Sequence, residues 1–364
     1  MSAKLISPWA LSLVMAWLGI FSSSAFGQLG DRLLLQLDSQ VSLKPAVPGQ
    51  AGWEQIAKGE AWLQAKPGGK FFGQGELVIH SQMVHSPSPY FRFTPMQGQG
   101  TFRVNAVKEG DKLRFAFDPG AIPVEGQLIV SMPHISKTEP NVQQFDPATL
   151  AGGDITSHAG VTIEMRDGAT ATIEVPGAAK TTFTLYGVQM WRATVAGTET
   201  DNSRPFIQNP KLTNPSKELP IAMRFKWNLV ADFVVTSGGS YLRGEVFSAN
   251  VDEEFQFEHE DLYDCRLVPC PGADQPDVLV GQPLPGTASG GSVRLEWPTY
   301  FPSACVVCYP KKTYLANIPY RQTFGTKEFT ETISREELPL KDGAVVRGGV
   351  QDWMQYTITM KKLD

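Results

Sequence analysis

Charge is scarce in this chain. Asp, Glu, Lys and Arg make up 19% of 364 residues, and the formal charge is −5. A mildly acidic surface with so few cations excludes nucleic acid and an anionic membrane as electrostatic partners. A long apolar run occurs once, at the N-terminus, so no membrane span is expected in the rest of the chain. Several motifs are missing: Gly-x-Ser-x-Gly, His-Glu-x-x-His, a phosphate loop and a dinucleotide fingerprint. Their absence removes the common hydrolase and nucleotide routes. Helix signals are weak as well. Trp53 to Lys58 reads as one short helix. Asp31 to Ser39 is ambiguous, because Leu33, Leu34 and Leu35 are apolar on every face.

The one apolar run is informative. Lys4 is followed by uncharged Trp9 to Phe21, then Ser22-Ser23-Ser24 and Ala25-Phe26-Gly27. This is the order of a secretory signal peptide over residues 1–27, with Gln28 as the mature start. Loss of Lys4 makes the mature chain one unit more negative. Export predicts a periplasmic or secreted protein in an oxidising compartment.

Glycine (34) and proline (27) are plentiful beside the sparse charge, which suits strands and turns. Period-two alternation recurs. Phe102, Val104 and Ala106 form one apolar face; Leu113, Phe115 and Phe117 form another, as do Val161, Ile163 and Met165. The longest run is Ile221, Met223, Phe225, Trp227 and Leu229, and the last is Met354, Tyr356, Ile358 and Met360. Turn signals such as Glu109-Gly110-Asp111, Asp118-Pro119-Gly120 and Lys341-Asp342-Gly343 separate them. The expected fold class is all-β, with antiparallel β-sandwich or partly closed β-barrel domains and little helix.

Ile135 to Gly160 and Ala196 to Pro220 read as connections. The second, rich in Pro and Asn, places β domain I at 28–215 and β domain II at 216–364. Gly68 to Glu76 resembles Gly238 to Glu245. Turn chemistry alone selects such residues, so this does not establish a duplication.

All four cysteines lie in the second half: Cys265, Cys270, Cys305 and Cys308. Export and an even count predict two disulfides, in any of three pairings. The alternative use is a four-thiolate zinc site. A second metal reading gathers His80, Met83, His85 and His134, an imidazole and thioether set suited to copper. The acidic run from Asp252 to Asp264 reads as a strand with a solvated face. Among five tryptophans beside strand-like segments, Trp297, with Tyr300 nearby, lies in the irregular Cys-flanked region and is a candidate for stacking on a ligand.

These residues lead to an exported soluble protein with a non-catalytic binding or envelope-associated role, its partner a glycan or envelope component. A glycan-acting hydrolase using paired carboxylates and a copper- or zinc-binding envelope protein are the alternatives. No cofactor other than these metals is implied.

Overall fold

The computed structural model describes residues 29–44, 50–152, 160–201, 206–208, 216–218, 221–257, 263–270, 275–311 and 320–363. The signal segment, including Lys4 and the Ala25-Phe26-Gly27 site, lies outside them. The chain is all-β and antiparallel, as the alternation predicts. It divides into two compact units that meet in sequence at Val188 and Gln189. That point lies upstream of Ala196 to Pro220, much of which falls outside the described residues.

The first unit holds β1 (Arg32–Leu43), β2 (Gly52–Lys66), β3 (Lys70–His85), β4 (Phe91–Phe93), β5 (Met96–Glu109), β6 (Lys112–Phe117), β7 (Ile122–Met132), β8 (Ile135–Phe145), β9 (Val161–Glu164), β10 (Ala169–Val175) and the first part of β11 (Ala179–Asp201). The order is β10-β11-β1-β2-β3-β5-β6-β9, with β7, β4 and β8 attached through β5. No ladder joins β9 to β10 among the described residues, and the sheet is not closed into a barrel.

Strand β3 shows why this unit folds. Phe71, Leu77 and Ile79 point inward with Gly73 and Gly75, while Lys70, Gln74, Glu76, His80 and Gln82 point out. The inward set joins Leu33, Leu35, Phe102, Phe115 and Phe183 in one buried cluster. Each such side chain is stabilised by roughly 1.5–3 kcal/mol relative to exposure. The β2–β3 turn places Gly68 at φ 82° and Gly69 at φ 70°, a region that side chains with a Cβ avoid.

Three expectations are corrected here. Trp53 to Lys58 is strand, not helix, because β2 is laddered to β1 on one side and β3 on the other. Ile135 to Phe145 is strand β8, held in continuous register on β7. Ala196 to Asp201 continues β11, where residues through Glu199 pair with the last strand of the chain. Tertiary pairing overrides weak local preference in each case. Of the ambiguous stretch, Arg32 to Ser39 is strand, its leucines all buried.

The second unit contains the rest of β11, then β12 (Phe206–Gln208), β13 (Ser216–Glu218), β14 (Ile221–Thr236), β15 (Tyr241–Phe257), β16 (Tyr263–Val268), β17 (Gly286–Ser289), β18 (Ser292–Leu295), β19 (Ser303–Pro310), β20 (Tyr320–Gly325), a six-residue helix α1 (Glu328–Ile333), β21 (Leu338–Pro339), β22 (Val345–Val350) and β23 (Met354–Lys362). Its main sheet runs β15-β14-β11-β23-β22, and β16-β19-β20 form a smaller one. One face of the main sheet carries Trp191, Val195, Phe225, Trp227, Phe233 and Ile358 into a core that also takes Phe329, Trp297 and Tyr300.

Candidate functional site

The outer face of the second unit's main sheet carries a trough of about 810 Å3 across four adjacent strands. Lys226 on β14 stands at one end and Arg347 on β22 at the other. Between them the side chains are short, Gln355 excepted. Arg347 pairs across the ladder with Thr357, which pairs with Ala196. In the next outward-facing row, Gly349 pairs with Gln355, which pairs with Thr198. Three interstrand spacings separate the two cationic strands by about 14 Å. Long side chains at the ends and short ones between them make the depression. Lys226 is ion-paired with Glu254. Arg347 is exposed and has no carboxylate partner among the described residues.

Directly behind Thr198, on the other face of β11, lies Glu199, whose side chain is 1% exposed. The Thr326 hydroxyl bridges Glu199 Oε1 and, at 2.7 Å, Glu328 Oε2. Burial pushes the Glu199 carboxyl up to about 7, against the hydrogen bond from Thr326 and with help from the charges of Glu328 and Asp201. Glu328 moves the other way, chiefly because Thr326 hydrogen-bonds it. The Trp227 indole N–H acts on the Glu199 carboxyl but falls short of hydrogen-bond geometry, so Nε1 and Glu199 Oε2 are both buried and unpaired. Trp227 stacks on Phe329 with ring centres 4.7 Å apart, and Phe329 meets Tyr356 edge-on at 6.1 Å. The Tyr356 hydroxyl donates to Glu336 at 2.5 Å. Sequence reasoning missed Glu199 because nothing in Thr198-Glu199-Thr200 distinguishes it from a solvated carboxylate.

The cysteines are bonded pairwise, Cys265 to Cys308 and Cys270 to Cys305. This corrects the zinc alternative, since all four sulfurs are consumed and no cysteine is free. Cys265 and Cys308 are direct cross-strand partners on β16 and β19.

The copper candidates occupy three settings. His80 is exposed on the outward face of β3. Met83 is half-buried and His85 exposed at the end of that strand, and His134 sits in the β7–β8 turn. Among the described residues, no three of His, Cys, Asp or Glu gather into a metal-sized cluster. Trp297 and Tyr300 are 5% and 4% exposed, and Tyr300 meets Trp227 edge-on at 6.1 Å. They belong to the core, which corrects the expectation that they stack on a ligand. Asp252 to Phe257 is strand, as expected, with Glu253 half-buried and its carboxyl raised by burial. Residues 258–262 lie outside the described residues.

No protein-family model and no curated protein matches the chain. Among solved structures, it aligns with the translocator domain of autotransporter NalP from Neisseria meningitidis, at 7% identity and TM-score 0.24, covering 97% of this chain and 94% of that one. The comparison does not bear out the expectation of a soluble non-catalytic binding protein, since the structure it returns is a translocator domain. So distant a likeness carries no argument that this chain translocates anything. No helix among the described residues is long and apolar enough to cross a membrane.

Proposed function

We propose that this chain works outside the cytoplasm, in the periplasm or as a secreted protein of the cell envelope. Its working surface is the trough of the second unit, which engages an anionic, hydroxyl-rich envelope component such as an acidic glycan. One observation supports this reading: Lys226 and Arg347 wall a floor of Ala196, Thr198, Gly349 and Thr357, with Gln351 and Gln355 beside them. Hydroxyl and amide groups suit sugar hydroxyls, and Arg347 offers a planar fork to a carboxylate. The signal-peptide pattern and the two disulfides suit the compartment.

Titration calorimetry with polygalacturonate and with neutral dextran tests the reading. Binding of the acidic polymer alone is expected, weakened at least tenfold in Arg347→Ala and further in Arg347→Ala with Lys226→Ala. Equal affinity for dextran, or an unchanged affinity in the double variant, would overturn it.

A further inference from the structure

The cluster beneath the trough poses a proton-counting problem. A threonine hydroxyl has one hydrogen to donate. Thr326 nevertheless lies within hydrogen-bond reach of two carboxylates, one 1% exposed and the other at the surface. If both carboxylates were ionised, one oxygen of Glu199 or Glu328 would face the lone pairs of Thr326. The arrangement is complete only when one carboxyl carries a proton. Then Glu199 donates to Thr326 Oγ1, and Thr326 donates to Glu328 Oε2.

We propose that Glu199, Thr326 and Glu328 form a one-proton latch that fastens the β20–α1 corner to β11. With the proton bound, the corner is closed. When it is lost, two anions compete for one hydroxyl and the corner opens. A second observation points to the same place. Trp227 Nε1 and Glu199 Oε2 are buried at this corner and fall short of a hydrogen bond with each other, so Thr326 is left as the hydrogen-bonded partner of a buried carboxyl.

The groups facing Glu199 come from several elements. Asp201 on β11 and Glu328 on α1 both disfavour a second negative charge. Lys327 lies beside Glu328, donating its backbone N–H to Oε2 at 3.1 Å and favouring that anion. From β14 the facing group is the Trp227 N–H. The cross-strand partner on β23 is Met354, which does not titrate.

The sign follows from burial. The closed form holds its proton up to about pH 7, whereas an ordinary glutamate releases it near 4.5. The latch is therefore tightest below the ordinary value and weakens as pH rises through the interval to about 7. This mechanism is independent of whatever occupies the trough.

The test is hydrogen exchange on the full-length mature chain at pH 5 and pH 8, with protection corrected for intrinsic rates. Amides of residues 326–333 should lose protection at pH 8 by on the order of 50-fold, the linkage expected for such a shift. Glu199→Gln keeps a donor for Thr326 and should hold that protection at both pH values. Thr326→Val should lower it at both. A pH effect in Glu199→Gln as large as in the unmodified protein would overturn the proposal. Should that variant not fold, the carboxyl-carbon titration of Glu199 in the unmodified protein decides. A midpoint between 6 and 8 is expected, and one near 4.5 refutes the latch.

Discussion

The two disulfides are nested, and nesting makes their contributions unequal in a calculable way. Cys265 and Cys308 are 43 residues apart, and Cys270 and Cys305, inside them, are 35 apart. In the chain-entropy account, either bridge alone closes a loop of that size and restricts the unfolded chain by about 4 kcal/mol. With one already closed, the other encloses only the short segments between them. Cys265 to Cys270 is five positions and Cys305 to Cys308 is three, so the added loop is about eight residues. Its worth is about 2.5 kcal/mol. Replacing Cys265 and Cys308 by Ser should therefore cost about 2.5 kcal/mol, and replacing Cys270 and Cys305 about the same. Replacing all four should cost about 6.5 kcal/mol, well beyond the two single losses together. Urea denaturation of the second unit, followed by tryptophan fluorescence, measures this. The first unit has its own core and no cysteine, so its transition should not move. Additive losses, or a shift of the first unit's transition, would refute the reasoning.

Two further substitutions probe the frame of the site. A methyl group at Gly197 would stand 2.6 Å from both the Gln355 carbonyl oxygen and the Phe329 ring. Gly197→Ala should lower second-unit stability by about 1–3 kcal/mol in the same denaturation assay; an unchanged midpoint would mean the strand relaxes freely there. Arg192 grips Asp232 through two 2.7 Å bonds and lies over the Phe247 ring at 4.5 Å. Asp232→Ala should cost about 1 kcal/mol by differential scanning calorimetry, since this pair is part-buried and bidentate, and Arg192→Ala combined with it should add little more.

Alternation by itself determined the strands at Phe102 to Phe117, Ile221 to Leu229 and Met354 to Met360. A period-two apolar face has one favourable outcome, a sheet with that face buried. Composition determined the fold class, and the even set of four cysteines in an exported chain determined that they would be bonded. Pairing was decided by the register of β16 on β19, which sets Cys265 opposite Cys308. The strands at Trp53 to Lys58 and Ile135 to Phe145 were likewise decided by their ladders, because their own residues state no strong preference. Trp297 and Tyr300 show the same division: an irregular, proline-rich stretch looked exposed, yet these rings complete a core in which Tyr300 meets Trp227 of the distant strand β14. The trough and the Glu199 corner were decided only by the tertiary structure. Lys226, Arg347 and Ala196 meet through strand order, and Glu199 meets Thr326 across 127 positions of chain. A carboxyl's environment is set by what folds over it, and local sequence carries no record of that.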